Sequence, residues 1–335
     1  MLEPRNTTGT SPTPRQMSKT ERLSDDTAGI SRAAELLRSG RIVAFPTETV
    51  YGLGADATDA RAVARIYEAK GRPHFNPLIV HVESLAQAEA IGRLNGPARA
   101  LAHAFWPGPL SLVVDLRPEA GIASLVTAGG DRVALRVPGH PLARRLISET
   151  GRPLAAPSAN PSGQLSPTRA AHVLAALDGR IDAVLDGGPC AVGLESTIVA
   201  TGPDGLYLLR PGGIPAEEIV RVAGVSLHGP QERPAQPESP GQLESHYAPR
   251  ATLRLGAQDR RPGEIYVGFG SPGADLELST SGDLVEAAAR LFDLLHAADA
   301  MAQGGTIAIA PIPQHGLGLA INDRLRRAAA PRLPS

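Results

Sequence analysis

Polar groups gather where apolar runs stop in the stretch 41–82, RIVAFPTETVYGLGADATDARAVARIYEAKGRPHFNPLIVHV. Thr47, Glu48 and Thr49 follow the run 41–45 and Pro46. Lys70, Arg72, His74 and Asn76 crowd between a helical pattern and the next run, 77–82. Lys70 is set apart because the chain's other lysine is Lys19 and every remaining strong base is arginine. An ammonium is a compact point charge suited to phosphate, whereas a guanidinium binds as a planar fork. A solvated lysine complementing a helix C-terminus is the plainer account of the same residue.

Further polar groups recur at strand ends. Ser158 and Asn160 lie in PSANPSG, just past an apolar run. Arg136 lies inside RVALRV, where an interior arginine needs a buried anionic partner. Ser196 and Thr197 sit in ESTI, and Arg210 follows the run 206–209 and precedes Pro211-Gly212-Gly213. Singly, strand-end serines cap helices and arginines pair with carboxylates. Together they form a set of arginines, hydroxyls and amides without an evident base or nucleophile. That profile fits phosphate-anhydride chemistry, in which positioning and charge neutralisation do most of the work.

Other chemistries find little support. No G-x-x-x-x-G-K-[ST] loop occurs. Gly268, Gly270 and Gly273 satisfy G-x-G-x-x-G, but no helix opens there, so a glycine-rich turn is expected. The nine histidines lack H-x-x-x-H spacing, and the single Cys190 excludes a multi-cysteine zinc site and an internal disulfide. One cysteine favours a reducing, cytoplasmic compartment. A net charge of -1 gives no global polyanion-binding signature. No apolar run approaches the roughly 20 residues of a membrane span.

The expected fold is α/β, with a twisted mixed sheet and a smaller α/β C-terminal domain. Strands are predicted at 41–45, 77–82, 110–116, 132–137, 153–156, 182–186, 195–200 and 206–209. Helices are predicted at 31–40, from Thr58 or Asp59 to Gly71, from Ser84, from Pro97, at 141–150, from Ser166-Pro167 and from Pro215. Gly52 and Gly54 read as a tight turn or a close approach to a ligand. Several strands follow one another without a helix, which favours a mixed sheet. Residues 1–28 read as a disordered tail, 29–227 as the first domain, 228–250 as a linker and 251–335 as the second domain. In that second domain, strands at 252–255, 264–267 and 306–310 accompany helices at 283–300 and 320–330.

The motifs FPTETVYGLG, AKGRPHFNPLIVHV, WPGPL, APSANPSG, ESTIV and LLRPG, in that order, resemble the YrdC-like threonylcarbamoyl-AMP synthases. The linker SPGQLESHYAP and the second domain resemble the family's two-domain form. The resemblance implies a YrdC-like sheet with a concave basic cleft and a Rossmann-like second domain. It implies a nucleotidyltransferase that makes threonylcarbamoyl-AMP and pyrophosphate from L-threonine, bicarbonate and ATP, with Mg²⁺ expected. The product would pass to downstream tRNA-modifying proteins for threonylcarbamoyladenosine formation. By motif position, Thr49, His81, Arg136, Ala156 and Ser196 would surround threonine. Arg72, Asn76, Arg132, Ser158, Ser166, Arg210 and Tyr247 would hold ATP. Asn160 joins them on the charge argument, and Lys70 and Arg72 would act as the catalytic cations. Tyr247, at the end of the linker, would fold over the cleft as a lid; the alternative is that it packs against the second domain. An RNA-binding module of the same fold is the competing class, and direct nucleic-acid contact stays open. A carbamoyl transferase of hydrogenase maturation would need a zinc finger that one cysteine cannot build.

Nothing before Met17 reads as foldable, so Met17 is the expected physiological start. Mass spectrometry of the native protein should then yield no peptides from the Glu3 to Arg15 region; finding them would refute this start.

Overall fold

The computed structural model describes residues 19–229 and 246–331. Met17, most of the expected tail and the middle of the linker lie outside the described residues. The first unit is built on a 12-stranded mixed sheet. At its centre, Ile79–His81 pairs in parallel with Arg132–Arg136, which pairs antiparallel with Leu110–Leu116. Thr197–Gly202 then runs parallel to Leu110–Leu116 and antiparallel to Gly205–Arg210. On the other side of Ile79–His81 lie Leu154–Ala155, Gly52–Asp56 and Val43–Phe45, each antiparallel to the strand before it, and Val43–Phe45 then pairs in parallel with Ala183–Leu185. Helices and irregular segments cover both faces, and separate apolar clusters form around them.

Local signals place the helices. Asp59 caps Ala60–Lys70 by accepting from the Arg61 and Ala62 amides, and Gly71 ends it at φ 58°. Ser84 accepts from the Gln87 amide, and the Gln87 side chain accepts from the Glu83 amide, close to a capping box. Pro141–Thr150 forms as expected from the sequence.

Three expectations need correction. Residues 21–28 are not tail: Glu21–Leu23 adds to the sheet edge beside Ala183–Leu185, and Asp26 caps the helix Thr27–Arg38. A three-residue strand with one apolar side chain is too short to show a period. Gly52 and Gly54 do not form a turn; they lie in the buried strand Gly52–Asp56. There the Phe45 ring crosses the strand, and a Cβ on Gly54 would stand 2.7 Å from it. Ser166 caps no helix. The helix starts at Ala170, and the Ser166 hydroxyl donates to Glu195 at 2.5 Å instead.

The second unit is a four-stranded parallel sheet in the order Thr252–Arg254, Thr306–Ile309, Glu264–Gly268, Leu276–Glu277. Helices Leu284–Ala302 and Leu317–Ala329 pack on it. The glycine-rich run after Glu264–Gly268 leads into the short strand Leu276–Glu277, so it opens no helix. Its core is shared with the first unit: Val50, Leu165 and Leu194 cluster with Leu291, Phe292 and Leu295.

Gly193 lies where the first unit meets helix Leu284–Ala302 of the second. Its φ is 72°, and a Cβ there would stand 2.4 Å from the carbonyl oxygens of Ala288 and Ala289. Gly193→Ala therefore pays twice, in backbone conformation and in contact with a helix that cannot yield. We expect it to destabilise the chain by about 1–3 kcal/mol, read as a lower urea midpoint. An unchanged midpoint would mean that the units do not meet this closely.

Candidate active site

A cavity opens where the strand ends of the first unit converge. It encloses about 40 Å³ and is reached by Thr49, Arg72, His81, Arg136, Ala156, Ser158, Ser196, Arg210 and Tyr247. The structure thus brings nine of the expected residues to one wall. Three of them are buried arginines. Arg136 donates from Nη2 to Glu48 at 2.7 Å and from Nε to the Gly108 carbonyl at 3.3 Å. Glu48 is the anionic partner that an arginine inside RVALRV required. Burial pushes the Glu48 carboxyl up, but the Arg136 guanidinium outweighs this and holds it below the usual range.

Arg210 donates from Nε and Nη2 to the Ser196 carbonyl, and from Nη2 to the Ser196 hydroxyl at 3.1 Å. That hydroxyl also shares a 2.8 Å hydrogen bond with Ser111. Gly212 permits the crossing, since a Cβ there would stand 2.4 Å from the Glu195 carbonyl oxygen. Arg72 donates to the carbonyls of Asn76 and Pro77, and burial brings it down to about 10. Each guanidinium is gripped along its Nε–Nη2 edge, and Nη1 of each makes no hydrogen bond among the described residues. Such forks suit carboxylate and phosphate oxygens.

His81 stands beside Arg136 in the register of its strand pair. Burial, and then Arg136, hold its imidazole down at about 3, and its Nδ1 has no partner. His246 is likewise held at about 3 by burial. Both are neutral at physiological pH. Thr47 accepts from the amides of Thr49 and Val50 and shares a hydroxyl bond with Thr49 at 2.8 Å, which fixes the turn before the cavity.

The remaining expected residues do not line the cavity. Lys70 is buried in the last helical turn, not solvated. Its Nζ donates to the Ser158 carbonyl at 2.5 Å and to the Asn160 carbonyl. Burial, with Arg72 nearby, lowers its pKa well below the ordinary lysine value. Asn160 donates to the carbonyls of Pro161 and Gln164, and its Oδ1 is buried without a partner. The Asn76 carbonyl accepts from Arg72 and Tyr67, while its Oδ1 is also unpartnered. Arg132 donates to the carbonyls of Val113 and Thr201. Ser166 supports Glu195.

Sequence reasoning missed Glu48, Glu195 and His246 as site residues. Glu48 sits between two threonines already noted, and Glu195 precedes Ser196, so each adjoined a signal. Among the described residues no cluster of three His, Cys, Asp or Glu side chains suits a metal ion, and no helix is long and apolar enough to cross a membrane.

The Sua5–YciO–YrdC domain model, described as telomere recombination, matches residues 35–212. The model of the threonylcarbamoyl-AMP synthase C-terminal domain matches residues 214–330. The threonylcarbamoyl-AMP synthase of Bacillus subtilis is 44% identical, over 94% of this chain and 96% of that protein. The chain belongs to the threonylcarbamoyl-AMP synthase family, in its two-domain form. The crystal structure of Pyrococcus abyssi Sua5 complexed with L-threonine matches with a TM-score of 0.83 at 39% identity, over 92% of this chain and 97% of that one. Escherichia coli YciO, at 20% identity and a TM-score of 0.52 over 58% of this chain, shares the fold. The mixed α/β sheet and the separate smaller sheet expected from the motifs are therefore present. The second family model begins at 214, although the first sheet continues to Leu227–His228.

The two neutral imidazoles make stability depend on pH. Between about 6.5, the unfolded histidine value, and about 3, the unfolded chain binds protons at His81 and His246 that the folded chain does not. Stability should therefore fall as pH drops through this window, by up to about 1.4 kcal/mol per pH unit for each histidine. Urea midpoints at pH 7.5 and pH 5 test this; a midpoint no lower at pH 5 would contradict the burial of neutral histidines.

Proposed function

We propose that this chain is an L-threonylcarbamoyladenylate synthase, converting L-threonine, bicarbonate and ATP into threonylcarbamoyl-AMP, pyrophosphate and water. The observation that carries this reading is the convergence of Arg72, Arg136 and Arg210 on one cavity that offers hydroxyls but no activated nucleophile. The solved relative with L-threonine bound supports the substrate.

On this reading, Arg136 forks the threonine carboxylate while Glu48 fixes its other edge. Thr49, His81, Ala156 and Ser196 enclose the rest of the amino acid. Neutral His81 adds a polar wall without a charge to repel the threonine ammonium. The threonine nitrogen, once deprotonated, attacks the bicarbonate carbon, and water leaves to give a carbamate. A carbamate oxygen then attacks the α-phosphorus of ATP, and pyrophosphate departs as the α–β anhydride bond breaks. Arg72 and Arg210 neutralise the charge that builds on the leaving group. Mg²⁺ would arrive on the ATP phosphates, since the nearby carboxylates are engaged by arginines.

Ser158 faces the nucleotide, and Tyr247 closes over it from the linker end. Lys70 and Asn160 contribute by fixing the loop that bears Ser158; Asn76 and Ser166 support Arg72 and Glu195, and Arg132 ties the far end of its strand to the carbonyls of Val113 and Thr201. The lid reading and the packing alternative coexist here, because Tyr247 clusters with Phe292 of the second unit and still faces the cavity. The setting would be cytoplasmic, and the labile adenylate would pass to tRNA-modifying proteins.

Pyrophosphate release should require threonine, bicarbonate and ATP together, shown by omitting each in turn. Arg72→Ala should cost about 2–4 kcal/mol of transition-state stabilisation. Lys70→Met should abolish turnover as well and also lower stability by about 1–3 kcal/mol, because two buried carbonyls lose their donor. Near-normal turnover in either variant would remove that residue from the mechanism. RNA binding without any synthesis would favour the nucleic-acid module instead.

A further inference from the structure

Arg324 belongs to the second unit, yet it reaches the first unit's cavity wall. It lies on helix Leu317–Ala329 and is fully buried. Its Nε donates to Glu195 Oε2 at 2.8 Å, and its Nη1 donates to Asp323 at 2.7 Å. Its Nη2 is buried and makes no hydrogen bond. The guanidinium carbon stands 5.3 Å from the centroid of the Tyr247 ring, within cation–π range. The two groups it engages across the boundary, Glu195 and Tyr247, both face the cavity.

A guanidinium this buried is costly unless its partners are well placed. Asp323, its neighbour on the same helix, would serve as a local partner. The side chain instead also spans the boundary between the units. Glu195 is held from both sides, by Arg324 on Oε2 and by Ser166 on Oε1. The next residue, Ser196, holds Arg210 through its carbonyl and hydroxyl. A chain of contacts therefore runs from the second unit to a cation of the proposed nucleotide site. Thr49, His81 and Arg136, on the threonine side, belong to the first unit's own strands and turn.

We infer that Arg324 is a positioning residue for the nucleotide side of the site: it fixes the Glu195 carboxylate and the Tyr247 ring, and through them the aim of Arg210. The second unit thereby completes ATP binding without touching ATP. This rests on the synthase reading above.

Calorimetry on the full chain, with L-threonine and a non-hydrolysable ATP analogue titrated separately, tests it. Wild type should bind both; a wild type that binds neither overturns the synthase reading itself. Arg324→Met should weaken analogue binding roughly 10- to 100-fold, with the threonine Kd changed by less than about threefold. Arg324→Lys, which keeps the charge and loses the fork, should fall between. In Glu195→Gln/Arg324→Met the loss should be smaller than the sum of the single losses, as for contacting residues. Equal weakening of both ligands would mark a purely structural role and overturn the inference, as would unchanged analogue binding. Should Arg324→Met fail to fold, Arg324→Lys decides by the same comparison of the two ligands.

Discussion

Burying cations around a cavity that must still attract an anion constrains everything else here. Arg72, Arg136 and Arg210 are nearly removed from water, and desolvation lowers the pKa of Arg72 and of Arg210. Complete pairing with carboxylates would quench the cavity, and no pairing would make it too costly to form. The structure takes a middle course. Glu48 neutralises Arg136, Glu195 lies close enough to Arg210 to perturb it, and backbone carbonyls take the remaining donors. Carbonyls satisfy an N–H without adding a full negative charge. A site assembled this way stays electropositive while remaining affordable to the fold.

That balance explains which parts of the site were legible in the sequence. The need of Arg136 for a buried acid followed from its place inside an apolar strand. The identity of that acid did not, because Glu48 is 88 residues away and only the sheet brings them together. The rarity of Lys70 set it apart, and the side chain is buried. Its direction was hidden, since the last turn of helix Ala60–Lys70 faces the Ser158–Asn160 loop and not solvent. Ser166 looked like a helix cap because Ser-Pro so often starts helices, but a buried carboxylate competes more strongly for its hydroxyl. Gly52 and Gly54 spoke for a tight turn or a close approach to a ligand; at Gly54 the close group is the Phe45 ring of the neighbouring strand, while Gly52 lines the cavity.

The fold itself was easier to read because its strands are apolar on both faces and its helix ends carry strong local signals. Asp59, Gly71, Ser84 and Pro141 each act within a few residues, so spacing alone reveals them. The edge strand Glu21–Leu23 has no such local signature. Its order comes from pairing with Ala183–Leu185 and from the Thr20 hydroxyl on the Ile181 carbonyl. Long-range pairing of this kind leaves no periodic trace in so short a segment.

Tyr247 ties the cavity to the second unit. It adopts φ 63°, a region that costs a non-glycine residue about 1–3 kcal/mol, so surrounding contacts must hold it there. Those contacts come from Phe292 and Arg324 of the second unit. The adjoining His246 is anchored too, through its amide to the Arg327 carbonyl. Tyr247 so placed also lines the cavity, together with Arg72, Ser158 and Arg210. The second unit thereby holds one wall of the cavity in place, because Phe292, which packs against Tyr247, belongs to that unit's core.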